Sequence, residues 1–334
     1  MKKAIFSTEI SILRSTMQRL LRRRAHSNIT KILRNTHQAD IALIMRSLNQ
    51  FDQKKIFALC PTSVHKARLL EELDESLIEN VLKNDSVKNI SKIFGYLDTN
   101  DQATIIGMFP RNKQEEILTA IEHGDKEDVE EIMSYPDDSA GSIMTKETFT
   151  LNQNTTVKKS IEKLQSFPEN DKIFYLYVLD NKEKLVGVVS LRTLVTSKNS
   201  KKLREIMIKD IQAATTSTDQ EEVAKKVAQY NYLALPVVNR QNRFLGIVTI
   251  DDVVDIIREE ASEDFLQMAG VGKDREILLK SPLENAKSRA PWILASLIGG
   301  ICAAAIISYF NSLLEQIIVL AAFIPVIIGI GGNV

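Results

Sequence analysis

The last 44 residues of the chain, 291–334, carry a single charged side chain, Glu315, and this apolar end constrains the fold most. Residues 291–310 form an unbroken run of 20 uncharged residues, and about 20 apolar residues suffice for a helix to cross a bilayer. A second apolar run covers residues 316–330. A buried core helix is the alternative, but the length and purity of the first run favour the membrane. We therefore predict a transmembrane helix and the start of a second one within residues 289–334.

Flanking charges predict the orientation of this segment. Lys280, Lys287 and Arg289 precede the first apolar run, whereas residues 311–316 contain no positive charge. Because positive charges mark the cytoplasmic side, residues 1–288 are predicted to be cytoplasmic. The N-terminus lacks the apolar core of a signal peptide. The expected location is the cell (inner) membrane, crossed more than once.

Composition excludes several classes of protein. Lys and Arg total 43 and so do Asp and Glu, so the formal charge is zero, which argues against general nucleic-acid binding. Two cysteines, Cys60 and Cys302, are too few for a disulfide framework. The four histidines are scattered, so no transition-metal site is predicted.

The first 34 residues are strongly basic, with nine Lys and Arg and one acid, Glu9. One interpretation is a basic helix that touches anionic lipid. The other, which the thin apolar face favours, is a solvated and partly frayed helix.

Residues 35–134 show helical periodicity interrupted by a turn every dozen residues or so. Ile41, Ile44, Met45 and Leu48 form one apolar face, and Asp74 is a candidate cap before another helix. Short helices at this spacing predict an all-α superhelical domain of stacked antiparallel helices.

Beyond residue 134 the chain contains an internal repeat with an offset of 59 residues. This offset aligns Val178 with Val237, Asp180 with Asn239, Gly187 with Gly246, Val189 with Val248 and Ser190 with Thr249. Each copy combines two β-rich runs with amphipathic helices. We predict two α/β units of the order strand–helix–strand–strand–helix, at residues 135–200 and 201–258.

These copies resemble CBS domains, and residues 246–252 (GIVTIDD) carry the β-hairpin glycine and the Thr-x-x-Asp turn into a helix. The order of a helical array, the motif YPDDSAG at 135–141, the CBS pair, an acidic connecting helix at 259–288 and a membrane segment resembles the MgtE family of magnesium transporters. The run from Phe323 to Asn333 is similar to the start of that family's second membrane helix. The expected fold is therefore multi-domain, and the expected chain is the N-terminal portion of such a transporter.

Carboxylates recur on the helix after the second CBS unit. Asp252, Asp255 and Glu259 lie at i, i+3 and i+7, and residues 260–264 add a second acidic ridge. Oxygen ligands without His or Cys select hard ions such as Mg²⁺ or Ca²⁺. Spacing alone fits an ordinary charged helix face slightly better.

The family resemblance implies that cytosolic Mg²⁺ bridges acids of the helical array, the CBS pair and the connecting helix, and so closes a dimeric pore. The matching positions in this sequence are Asp252, Asp255, Glu260, Glu263, Asp264, Glu221 and Asp98. Asn231 stands where the family can offer an acid. Its neutral amide would compensate the charge of a bridging ion less, so a Mg²⁺ bridge at this position is weaker.

The resemblance also implies ATP binding in the CBS cleft, with Tyr175 stacking on adenine, Arg192 pairing with phosphate and Tyr232 forming another wall. Thr193 replaces a frequent acid there, and the two tyrosines are equally compatible with core packing. At the C-terminal end, the positions expected to begin the pore are Pro325, Gly331, Gly332 and Asn333.

Two functions follow as alternatives. The first is magnesium transport by a homodimer, with Mg²⁺ as both cargo and regulator, and this chain is expected to hold only the beginning of the pore. The second is a membrane-tethered CBS sensor or interaction protein that transports nothing. The sequence contains no Walker motif or nucleophile–base pair, so we predict no enzyme.

Overall fold

The computed structural model describes residues 2–121, 123–167, 173–268, 282–309, 323, 326 and 327. The chain divides into two compact units, residues 1–257 and 258–334. The first unit begins with ten helices: α1 (Lys2–Arg22), α2 (His26–Asn35), α3 (Gln38–Arg46), α4 (Gln50–Ala58), α5 (Ser63–Leu70), α6 (Glu75–Leu82), α7 (Val87–Phe94), α8 (Thr99–Gly107), α9 (Arg111–Ala120) and α10 (His123–Met133). The predicted all-α domain is confirmed.

Local sequence determines where these short helices begin. Asn49, Thr62 and Ser86 each accept a hydrogen bond from a backbone N–H of the following first turn, which satisfies donors that have no partner inside the helix. The apolar faces then pack together, and Ile41, Ile44 and Met45 of α3 are at most 1% exposed. The predicted face of α3 is therefore its core face.

The basic N-terminal segment packs against this domain. Met17 and Leu21 of α1 and Ile29 and Leu33 of α2 are at most 4% exposed and belong to the main hydrophobic cluster. The interpretation as a solvated helix is therefore wrong for these residues. A thin apolar face suffices here because helices α2 and α3 cover it.

The CBS pair follows as two similar units. The first contains α11 (Ala140–Ile143), β1 (Thr150–Asn152), α12 (Val157–Gln165), β2 (Tyr175–Leu179), β3 (Leu185–Ser190) and α13 (Leu191–Thr196). A short 3₁₀ turn (Leu203–Glu205) leads to the second, with β4 (Ala214–Thr215), α14 (Gln220–Tyr230), β5 (Ala234–Val238), β6 (Phe244–Thr249) and α15 (Ile250–Met268). The predicted order of strands and helices is confirmed in both.

The two sheets share one topology. Each has three strands, in the orders β1-β2-β3 and β4-β5-β6, with the first pair parallel and the second antiparallel. A register shift follows Val178 in one sheet and Val237 in the other, so even this irregularity repeats at the 59-residue offset. Glu183 and Asn242 occupy equivalent turn positions with φ of 60° and 62°. The internal repeat therefore encodes the backbone of both sheets in detail.

The main hydrophobic core is continuous between the helical domain and the second CBS unit. Phe94 and Ile106 lie in the same buried cluster as Val223, Leu235 and Val248. The first CBS unit has a separate core, and a third cluster lies between the two sheets. The second CBS unit therefore shares its core with the helical domain, and Ala140 and Met144 at the start of the first unit join the same cluster.

The cluster between the sheets contains a buried hydroxyl group. Tyr177 is 1% exposed, its ring stacks on Phe244 with centroids 5.0 Å apart, and its Oη has no hydrogen-bond partner. Burial and the neighbouring Tyr175 raise the pKa of Tyr177, so the phenol stays neutral.

Replacing Tyr177 by Phe is therefore expected to leave stability unchanged or raise it by about 1 kcal/mol, because an unsatisfied buried hydroxyl is costly. Urea unfolding monitored by far-UV circular dichroism measures the change. A loss above about 1 kcal/mol would mean that the hydroxyl has a partner in solution.

The second unit begins within α15 and includes α16 (Pro282–Tyr309). Across the described residues, none of the helices combines the length and hydropathy that a membrane crossing requires. The sequence prediction for residues 289–334 rests partly on positions 310–322, 324, 325 and 328–334, which lie outside the described residues. The transmembrane helices therefore stay a prediction.

Candidate functional site

The junction between the helical domain and the second CBS unit brings polar groups of two domains together. Asn100, in the first turn of α8, directs its Nδ2 atom to Oδ1 of Asp252 at 3.5 Å. Asp98 precedes α8 as its N-cap residue. The structure thus places the N-terminus of α8 beside an acid that the sequence singles out.

Asp252 is held in place by the local structure of its own helix. Its Oδ2 atom accepts hydrogen bonds from Thr249 Oγ1 at 2.6 Å and from the Thr249 backbone N–H at 3.4 Å. Thr249 directly precedes α15 and Asp252 is the third residue of that helix, as in half of a capping box. One carboxylate oxygen therefore fixes the start of the helix and the other points to Asn100.

Two buried acceptors of α8 have no hydrogen-bond partner. Asn100 is 7% exposed and Gln102 is 2% exposed, yet Asn100 Oδ1 and Gln102 Oε1 are unpaired. A buried oxygen without a donor is costly unless another group satisfies it. The amide of Asn100 can rotate to exchange its N and O atoms, which would turn its oxygen towards Asp252. The side-chain oxygen atoms of Asn100 and Asp252, one from each domain, would then be suitable ligands for a hard cation.

A second set of hydrogen bonds crosses the same junction. Glu147 Oε2 accepts from Thr99 Oγ1 at 3.1 Å, and Thr99 Oγ1 accepts from the Lys146 backbone N–H at 3.1 Å. Thr145 Oγ1 also donates to Glu147. The first turn of α8 is thus bound on two sides, by residues 145–147 and by Asp252.

The other predicted metal ligands of the CBS pair and the connecting helix follow Asp252 along α15 or, in the case of Glu221, lie on α14. Asp255 is exposed one turn beyond Asp252, and Glu260, Glu263 and Asp264 lie further along α15, with Glu263 6% exposed. Glu221 forms an ion pair with Lys225 at 2.9 Å. Within the part of the chain that the structure describes, no three His, Cys, Asp or Glu side chains form a metal-binding group. The larger acidic site therefore stays a prediction.

The residues predicted to bind ATP lie in different surroundings. Tyr175, at the start of β2, is half-buried with its ring centroid 6.4 Å from that of Tyr177. Arg192 is exposed on α13. Tyr232 stacks on Tyr230 at 5.6 Å and packs against the main cluster, whereas Tyr175 packs against the cluster between the sheets. The nucleotide site stays a prediction.

The first CBS unit contains a shallow cavity of about 360 Å³ at the β2–β3 turn, lined by Thr150, Leu151, Asn152, Leu179, Asp180, Asn181 and Glu183. Asp180 accepts from the backbone N–H groups of Lys182 at 2.7 Å and Lys184 at 2.9 Å. The Lys184 N–H is the main reason that the pKa of Asp180 lies below its ordinary value. This acid stabilises the turn.

The expected pore positions Pro325, Gly331, Gly332 and Asn333 lie outside the described residues. Sequence reasoning missed Asn100 and Lys146 at the junction. Asn100 lies in the first turn of α8, two residues after Asp98, and carried a weak signal, because Asn favours helix starts. Lys146 carried none, since its partners lie 15 and 18 residues earlier.

Comparison with known proteins assigns both halves of the first unit. Residues 36–138 match the model of the MgtE intracellular N domain, and residues 140–199 and 203–259 match the model of the CBS domain. The basic helix α1 precedes both matches.

Curated relatives match a longer part of the chain. The magnesium transporter MgtE of Bacillus subtilis is 34% identical over 299 residues, which cover 86% of this chain and 66% of the relative. The magnesium transporter MgtE of Enterococcus faecalis is 36% identical over 207 residues, which cover 62% of this chain and 45% of the relative. Both are named as transporters rather than enzymes, as the sequence predicts. The chain thus spans about half to two thirds of these relatives.

Among solved structures, the cytosolic domain of the Mg²⁺ channel MgtE in complex with ATP matches with a TM-score of 0.68 and 29% identity, covering 73% of this chain and 99% of that one. These comparisons define the class of protein as one with an intracellular N domain followed by a CBS pair. The chain belongs to the MgtE family of magnesium transporters.

Proposed function

We propose that this chain senses cytosolic Mg²⁺ and thereby controls Mg²⁺ transport through a dimeric pore. The observation that carries the proposal is the contact between Asn100 and Asp252, which joins two domains through a buried amide with an unpaired oxygen. A cation held by both side chains would strengthen the contact between the domains. Release of that cation would weaken it, so the ion concentration would set how firmly they associate.

The donor set fits magnesium. Asn100 and Asp252 offer amide and carboxylate oxygens, and Asp98 adds a carboxylate at the start of the same helix. Mg²⁺ prefers oxygen ligands and keeps several of its waters, so few protein groups are needed. A Mg²⁺ ion held by these oxygen atoms would link the helical domain to the second CBS unit.

One such site is too weak to control a pore. Moving a two-state equilibrium from 1:99 to 99:1 takes about 5.5 kcal/mol of differential binding. A site filled to ten times its dissociation constant in one state alone supplies about 1.4 kcal/mol. About four such sites are needed, and the further acids Asp255, Glu260, Glu263, Asp264 and Glu221 are the proposed ligands of the others.

Membrane placement, assembly and nucleotide binding are parts of the same proposal. The apolar composition of residues 289–334 supports a transmembrane segment, and the flanking charges support a cytoplasmic position for residues 1–288. The proposed dimer is supported only by the resemblance to the MgtE family. The ATP complex of the similar cytosolic domain supports a nucleotide site that includes Tyr175, Arg192 and Tyr232.

Hydrogen exchange of the full chain in neutral lipid nanodiscs tests the sensor. Saturating Mg²⁺ is expected to slow exchange in α8 by about tenfold relative to EDTA at matched ionic strength, because the ion stabilises the contact with Asp252. Equal exchange in both conditions would contradict the proposal.

A further inference from the structure

Residues 145–147 are attached to the second CBS unit. The Thr145 backbone N–H donates to Ile247 O at 2.8 Å, and the Ile247 N–H donates to Thr145 O at 3.0 Å. This pair extends the edge of the sheet next to β6. The backbone of residue 146 is therefore fixed to the edge of the second CBS sheet, and its N–H also donates to Thr99 Oγ1 of α8.

The side chain of Lys146 reaches the last helix of the helical domain. Its Nζ atom lies 2.8 Å from Asp128 Oδ1 and also donates to Glu131 Oε2, both on α10. Lys146 retains only 15% of its side-chain exposure, whereas the two acids retain 44% and 39%. One ammonium group thus lies between two carboxylates of the neighbouring domain.

The electrostatic surroundings show that these charges are matched. Partial burial alone would lower the pKa of Lys146, but its hydrogen bonds to Asp128 and Glu131 and their charges raise it. Partial burial would raise the pKa of Glu131, but hydrogen bonds from Lys146 and Tyr135 and the charge of Arg243 keep it below its ordinary value. The lysine is therefore charged, and so is Glu131, at neutral pH.

We infer that Lys146 is a built-in cation that holds α10 against the second CBS unit when no metal ion is bound. This inference rests on the proposed function, since it assigns Lys146 the role that Mg²⁺ has at Asn100 and Asp252. Asp128 and Glu131 lie three residues apart, on one face of α10, and repel each other unless a cation lies between them. Without the lysine, Glu131 keeps its hydrogen bond from Tyr135 and the charge of Arg243, and the acid pair becomes free to attract an external cation.

The Lys146 ion pair affects how the junction responds to Mg²⁺. Part of the domain junction forms in the absence of Mg²⁺, so the ion adjusts a contact that already exists. The response to Mg²⁺ is then concentrated in α8, near Asp252, while α10 stays protected throughout. A chain without the lysine would depend on Mg²⁺ in both helices.

Hydrogen exchange of the full chain with Lys146→Gln tests this. In EDTA, exchange in α10 is expected to rise by about tenfold or more, since hydrogen bonds to charged groups are lost. Saturating Mg²⁺ is expected to reverse much of the rise. Lys158→Gln is the matched control, because Lys158 is 71% exposed and its only described ion pair, with Glu162, is at 4.0 Å.

Exchange in α10 that is unchanged in Lys146→Gln would overturn the inference. If this variant unfolds, Lys146→Arg decides, because it keeps the charge: wild-type protection in EDTA supports the inference and lost protection overturns it. A different result rejects the proposed sensor: hydrogen exchange in α8 of the wild type that is the same with and without Mg²⁺. A charge effect in α10 with no Mg²⁺ effect in α8 would therefore keep the inference and reject the sensor.

Discussion

Substituting Gly246 by Ala is expected to destabilise the chain by about 2–3 kcal/mol, the upper range for an overpacked core. A Cβ atom at Gly246 would lie 2.5 Å from the backbone oxygen of Thr145 and 3.2 Å from Met144 Sδ. A backbone oxygen cannot move aside without breaking the pair that joins Thr145 to Ile247. The substitution should therefore loosen residues 145–147 from the second CBS sheet. Urea unfolding measures the loss.

The internal repeat supplies the control for this substitution. Gly187 is the equivalent position in the first CBS unit, and a Cβ there would meet the side chain of Met207, with Cγ at 2.7 Å. The Sδ and Cγ atoms of Met207 can move by a change of rotamer, whereas its Cβ, at 2.9 Å, moves only with the backbone. Because no backbone hydrogen bond has to break there, we expect Gly187→Ala to cost less than Gly246→Ala, by about 1 kcal/mol at most. A loss at Gly187 as large as at Gly246 would contradict this explanation.

Replacing Asp252 by Asn is expected to weaken the response of α8 to Mg²⁺ by about tenfold or more, because a Mg²⁺ site with fewer carboxylates binds more weakly. An amide oxygen still accepts from Thr249, so the start of α15 is retained while the negative charge is lost. The Mg²⁺ concentration that gives half-maximal protection of α8 measures the effect.

Asp251→Asn is the matched control. Asp251 is exposed in the same helical turn as Asp252, and its substitution by Asn removes the same amount of negative charge. A control variant that shifts the midpoint as far as Asp252→Asn would indicate a diffuse charge effect without a defined site. An unchanged midpoint in Asp252→Asn would remove Asp252 from the sensor.

Much of the fold is predictable from the sequence because it depends on local patterns. The alignment of Val178 with Val237 and of Gly187 with Gly246 fixes both sheets, since β-strands of equal pattern adopt equal registers. The burial of Met17 and Leu21 was not predictable in this way. A narrow apolar stripe is buried only when other helices cover it, and that depends on tertiary packing.

In the candidate site, too, local features were predictable from the sequence and long-range contacts were not. Asp252 stands out because a Thr-x-x-Asp turn precedes a helix, whereas its contact with Asn100 spans 152 residues and has no local signature. Glu221 was predicted to be a metal ligand, yet Lys225 four residues later forms an ion pair with it. That i,i+4 spacing is a sequence signal for a solvated helix pair, which makes Glu221 the weakest of the proposed ligands.

The most direct test of the account uses Mn²⁺ as an oxygen-seeking stand-in for Mg²⁺ that scatters anomalously. Crystals of the chain soaked in Mn²⁺ are predicted to show an anomalous peak between the side chains of Asn100 and Asp252, and to lose it when excess Mg²⁺ is added. Anomalous peaks on other carboxylates with none at this junction would contradict the claim that a divalent ion joins the two domains there.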